Sequence, residues 1–129
     1  YYILSMKNSK GKLTNAELEI MHVVWDLEGG TVRQVHEILN QQRPLAYTTV
    51  MTMMNILEEK GHLTRRKEGR AYCYEPVRPK SQVISGMVDD FVGRVFEGSA
   101  APLVVSLVKE KKISKKDLDE IARMIKETE

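Results

Sequence analysis

YTTVMTMMNILEEKGHLTRRKEGRAYCY, residues 47–74, holds the reading that decides the fold. Val50, Met53, Met54 and Leu57 fall at i, i+3, i+4 and i+7, which places them on one side of a helix and turns that side inward. The opposite side carries Thr48, Thr52 and Asn55, flanked by Thr49 and Met51, with Tyr47 at the start. These are mostly short side chains rich in donors and acceptors. A solvated helix face more often carries Lys and Glu, and here Glu58, Glu59 and Lys60 do so only at the far end. Short polar side chains suit base edges and phosphates, and a Met or Thr methyl suits a thymine methyl. A Thr-rich helix that merely tolerates its composition is the other reading.

Gly61 ends the helix, and His62 to Arg66 reads as a strand. Glu68-Gly69 marks a turn, Ala71 to Tyr74 returns, and Pro76 ends the return. The hairpin carries Arg65, Arg66, Lys67 and Arg70 against Glu68 alone. So much like charge on two short strands suits a phosphate backbone, where each neutralised phosphate releases counterions. A soluble edge hairpin protected by charge against aggregation is the alternative.

Upstream, Thr14-Asn15-Ala16-Glu17 is a capping box with Leu13 and Leu18 as a hydrophobic staple, and its helix carries Leu18, Met21 and Trp25 on one face to Leu27. Glu28-Gly29-Gly30 breaks it. Thr31-Val32-Arg33-Gln34 is a second capping box, whose helix buries Val35, Ile38 and Leu39 and ends before Pro44. Three helices and then a basic hairpin is the order of a winged helix-turn-helix, with the last helix in the major groove.

The C-terminal part follows Glu75-Pro76-Val77-Arg78-Pro79 and reads as three helices. The first carries Ile84, Val88, Phe91 and Val95; the second, Ala100 to Lys112, carries Leu103, Val104, Leu107 and Val108; Ser114 caps a third that buries Leu118, Ile121, Ala122 and Ile125. Three such helices make a thin core alone. Pairing with a second copy offsets this and would set two recognition helices about 34–36 Å apart. The alternative is a monomer whose C-terminal helices pack back on the winged helix. The expected class is mainly α with a small β-hairpin: a winged helix over 13–77 and a helical dimerisation region over 78–129. Residues 1–12 are either a mobile arm or an appended remnant.

The run Thr14 to Met21, then Trp25, Thr31 to Glu37, Ala46 to Thr52, Lys60-Gly61, Glu68 to Tyr72 and Tyr74 resembles the penicillinase repressor family of BlaI and MecI. The resemblance implies a bacterial cytoplasmic repressor, a homodimer that binds palindromic operator DNA. By position, Thr48, Thr49, Met51 and Thr52 match the family's groove-reading residues, and Arg65, Arg66 and Arg70 match its wing. Family members often carry a basic residue at 48 or 51, so Thr48 and Met51 imply a different operator. In the best-known members a membrane-bound sensor protease, triggered by β-lactam, leads to cleavage of an Asn-Phe bond. The matching pair here is Ser106-Leu107, a departure that weakens any implied cleavage or β-lactam response.

Composition agrees without deciding. The 129-residue chain is 42% hydrophobic with net charge +2, and Lys+Arg against Asp+Glu is 10 to 9 in residues 1–77 and again 10 to 9 in 78–129. Any basic surface must therefore come from local clustering. His36-Glu37-Ile38-Leu39-Asn40 comes near the zinc-protease motif, but Asn40 stands where the second His is needed. His22 and His62 lack a Cys or carboxylate partner at motif spacing. Cys73 is the only cysteine, which excludes an intrachain disulfide, suits a reducing compartment, and excludes the paired-Cys metal site of related copper-responsive repressors. No apolar run reaches the roughly 18–20 residues of a membrane span. No enzyme, cofactor or metal site is expected. A winged-helix module that contacts another protein is the competing function.

Overall fold

The computed structural model describes residues 11–129; most of the expected N-terminal arm, residues 1–10, lies outside the described residues. The described residues form two compact units, 11–83 in the first and 84–129 in the second. Helix α1 spans Asn15–Leu27, α2 Val32–Gln42 and α3 Tyr47–Glu59. Strands β1, Leu63–Glu68, and β2, Ala71–Pro76, follow, and then α4, Lys80–Val95, α5, Ala101–Lys109, and α6, Lys115–Thr128.

Local chemistry sets the ends of these elements. Both expected capping boxes form: Thr14 N–H donates to Glu17 Oε1 at 2.8 Å while Thr14 Oγ1 accepts from Glu17 N–H, and Thr31 and Gln34 do the same. At the end of α1, Glu28 turns left-handed and Gly29 N–H returns to Val24 O at 3.0 Å, a Schellman closure. Helix α2 stops at the extended Arg43, because Pro44 disfavours the helical region before it.

The first unit has one core. Ile20, Met21 and Val24 of α1, Val35 and Leu39 of α2, and Val50, Met54 and Leu57 of α3 pack together, closed by Leu63 and Tyr74 of the hairpin. Each such side chain contributes about 1.5–3 kcal/mol by leaving water. Met53, Leu18 and Ile38, expected on buried faces, are only half-buried. The hairpin pairs Leu63 with Pro76 through Glu68 with Ala71, so both strands extend beyond the expected bounds. The two-residue turn is Gly69-Arg70, and Gly69 at φ +61° supplies the left-handed first position that a Cβ would strain.

The second unit differs from expectation in the bounds of one helix. Helix α5 ends at Lys109 rather than Lys112, closed by left-handed Lys111 whose N–H donates to Val108 O. The apolar faces of this unit are largely exposed or half-buried. Val92 is its one buried hydrophobic among the described residues, while Val88, Phe91, Val95, Val104, Val108, Ile121 and Ile125 are exposed and Ile84, Leu103, Leu107 and Leu118 half-buried.

Glu17 is the buried charge of the first unit. Burial alone would raise its pKa, but the Lys60 ammonium at 2.7 Å and the Thr14 N–H and hydroxyl outweigh it, holding the carboxyl below its ordinary value. A carboxyl with a lowered folded-state pKa stabilises above its unfolded value and loses that contribution as pH falls through the folded one. Glu17→Gln should therefore cost about 1–3 kcal/mol at pH 7. In urea denaturation at fixed protein concentration the deficit should close towards about pH 3, as wild type loses its ionic advantage. An equal deficit at both pH values would refute the assignment.

Candidate nucleic-acid interface

Helix α3 presents Tyr47, Thr48, Thr49, Met51 and Thr52 to solvent, all in its N-terminal half. Burying Val50, Met54 and Leu57 on the other side forces this orientation. The N-cap is Ala46, which offers no side-chain cap; Thr49 and Val50 N–H return to its carbonyl. The Tyr47 ring stands edge-on to His36, centroids 5.6 Å apart.

Asn55 belongs elsewhere. It is half-buried, and its Oδ1 accepts from the Tyr74 hydroxyl at 2.8 Å, so it joins α3 to the wing instead of extending the open face. Helical periodicity aligned Asn55 with Thr48 and Thr52, but the hairpin covers the helix at that level.

The hairpin register sorts the basic residues onto two faces. Arg65 and Lys67 share a face with Tyr72 and Tyr74; Arg66 shares the other with Cys73 and Glu75. The Arg65 guanidinium lies 4.4 Å from the Tyr72 ring centroid and 3.4 Å from Glu58 of α3, a cation–π contact and an ion pair together. Tyr74 first, and Glu58 next, hold its pKa above the ordinary arginine value. Arg66 pairs with Glu75 at 3.1 Å and Glu68 at 3.5 Å. The expectation that Glu68 alone opposes the cations is thus corrected: Glu58 and Glu75 reach them through the fold. Lys67 and Arg70, exposed near the hairpin tip, show no ion-pair partner among the described residues.

One contact escaped the sequence. Gly30 forms a β-bridge with Tyr74, Gly30 N–H donating at 2.9 Å and Tyr74 N–H at 2.8 Å, so the α1–α2 connection adds a one-residue third strand. Gly29 beside it, at φ +117°, lies where a Cβ would press to 3.3 Å from Tyr74 O. The doubled glycine signalled a helix break; its second use needed the tertiary fold. Glu75 escaped the sequence too: the expected Glu68-Gly69 turn would set Arg66 opposite Ala71, whereas the Gly69-Arg70 turn found sets Glu75 diagonally across from Arg66.

Residues 13–127 match the family model described as penicillinase repressor. The chain belongs to the penicillinase repressor family. It is 32% identical over 120 residues, 92% of this chain and 86% of the relative, to the transcriptional regulator BlaI of Mycobacterium tuberculosis. It is 27% identical over 116 residues, 90% of this chain and 91% of the relative, to the penicillinase repressor of Bacillus licheniformis. Among solved structures it resembles the DNA-binding domain of the repressor BlaI, with TM-score 0.50 and 33% identity over 54% of this chain and 85% of that one. The family and the winged-helix class expected from the resemblance are those found. No described helix is long and apolar enough to cross a membrane.

Tyr74→Phe tests the junction directly. It removes the hydroxyl that donates to Asn55, and should cost about 1–2 kcal/mol by leaving Asn55 short of a partner. The readout is a lower denaturation midpoint with an unchanged m value.

Proposed function

We propose that this family member is a transcriptional repressor that binds palindromic operator DNA as a homodimer in the cytoplasm. The carrying observation is the short, polar, uncovered N-terminal face of α3 beside a hairpin whose tip cations, Lys67 and Arg70, lack carboxylate partners among the described residues. Thr48, Thr49, Met51 and Thr52 would read base edges, with Tyr47 at the groove's margin; the wing would follow the phosphates. Arg65 and Arg66 reach phosphate only by loosening their pairs with Glu58 and Glu75, so each contributes less than a free cation.

The exposed apolar side chains of α4, α5 and α6 support a second copy as their cover. Relatives named as penicillinase repressor and BlaI support β-lactam-resistance genes as targets. Release by a membrane-bound sensor protease is the finer part of this reading. Ser106 and Leu107 stand within α5 and are half-buried, so cutting there requires the helix to open first. Cleavage would divide the face carrying Leu103, Val104 and Val108 and remove the avidity of two linked half-sites.

Fluorescence anisotropy against promoter DNA upstream of the protein's own gene tests the proposal. Tight binding to a palindrome that resists competitor DNA supports it; weak binding indifferent to sequence defeats it. Thr49→Ala or Thr52→Ala should cost about 1–3 kcal/mol on the matched operator and less on random DNA. Lys67→Ala or Arg70→Ala should weaken binding to all sequences and lower the salt slope by about 1. Arg66→Ala should lower it by less, because Glu75 already neutralises part of that charge.

A further inference from the structure

The i,i+4 pair His36 and Asn40, one residue type short of a zinc site, converges on the backbone of a single residue, Leu45. His36 Nε2 lies 2.7 Å from Leu45 O, and Leu45 N–H donates to Asn40 Oδ1 at 3.0 Å. A carbonyl only accepts, so His36 must carry its proton on Nε2 here. Leu45 is two residues before α3 begins, in the four-residue connection Arg43 to Ala46. Its two backbone groups are thus held from one face of α2, and the Tyr47 ring closes over His36. Helix α3 has no side-chain cap of its own, so this grip from outside adds to the burial of Val50 in holding its first turn. Thr48, Thr49 and Thr52 lie within two turns of it.

We propose that His36 and Asn40 are positioning residues for sequence recognition: they clamp Leu45 and so fix the depth and angle at which α3 meets base edges. The proposal rests on the DNA-binding reading above. Base contacts are short and directional, so a small displacement of the helix start removes them, whereas phosphate contacts by long, flexible wing side chains tolerate it. The clamp should therefore govern discrimination and leave sequence-independent affinity alone.

The test uses the full chain, a matched palindromic duplex and a scrambled duplex of equal length, at one salt concentration. His36→Ala and Asn40→Ala should each lower the ratio of matched to scrambled affinity by about tenfold, with scrambled affinity unchanged. His36→Gln, which can keep an N–H donor near the same place, and Asn40→Asp, which keeps the acceptor, should restore the ratio. The added charge of Asp weakens both duplexes alike and cancels. A ratio that stays at the wild-type value in the alanine variants, with only a lower melting temperature, overturns the clamp and leaves the repressor reading standing. Should an alanine variant fail to fold, the Gln and Asp variants decide: loss of the ratio in both overturns the proposal. Wild type that does not distinguish the duplexes overturns the repressor reading, and the clamp with it.

Discussion

Tyr74 is the point on which the candidate interface depends. Its backbone is bonded on both sides to Gly30, its register partner is Arg65, its ring is buried and its hydroxyl reaches Asn55 of α3. One residue therefore joins the α1–α2 connection, the hairpin and α3. A two-stranded hairpin alone is marginal in water, so without this anchorage the wing would have no fixed position from which to present its charges. The strand also sacrifices nothing for it: the buried hydroxyl is satisfied, and the edge of β2 is covered by Gly30 at that level.

The same economy governs charge. The wing's arginines are not left to repel one another; Glu58, Glu68 and Glu75 hold two of them, and Tyr72 lies beneath one. These pairs are exposed enough that each contributes little to stability, about 0–1 kcal/mol. Their larger effect is on what binds. A phosphate must compete with a carboxylate already in place, which lowers affinity for any DNA and raises the share of binding that sequence contacts must supply. Glu17 and Lys60 show the contrasting case, a nearly buried pair whose remaining capacity is met by Thr14 and the Lys12 carbonyl, and whose role is to join α1 to the end of α3.

Local signals in the sequence carried the winged unit well because its boundaries are chemical. Thr14 and Thr31 with Glu17 and Gln34 announce two helix starts, Gly61 a helix end, and Gly69 a turn, each through contacts spanning a few residues. The residues misread are those whose partners lie far along the chain. Asn55 looked open because its partner is 19 residues away, and Arg65 looked unpaired because Glu58 lies across the helix–strand corner. His36 and Asn40 were measured against a metal motif, and their actual partner, Leu45, could not be inferred from spacing alone. The C-terminal helices were legible as amphipathic, but periodicity names a face without naming what covers it.

That last distinction bears on how the proposed repressor would work. With Val92 as its one buried hydrophobic, the second unit has only a thin core to set against the entropy of ordering it. A second copy covering its exposed Val, Phe and Ile side chains would supply the missing burial, at about 25 cal/mol for each Å² removed from water. Folding of that unit and dimerisation would then be one equilibrium. Winged units whose cations are partly neutralised would bind single half-sites weakly, so occupancy of a palindrome would follow the dimer population. Anything that opens the C-terminal helices would therefore release DNA without touching the surface that reads it.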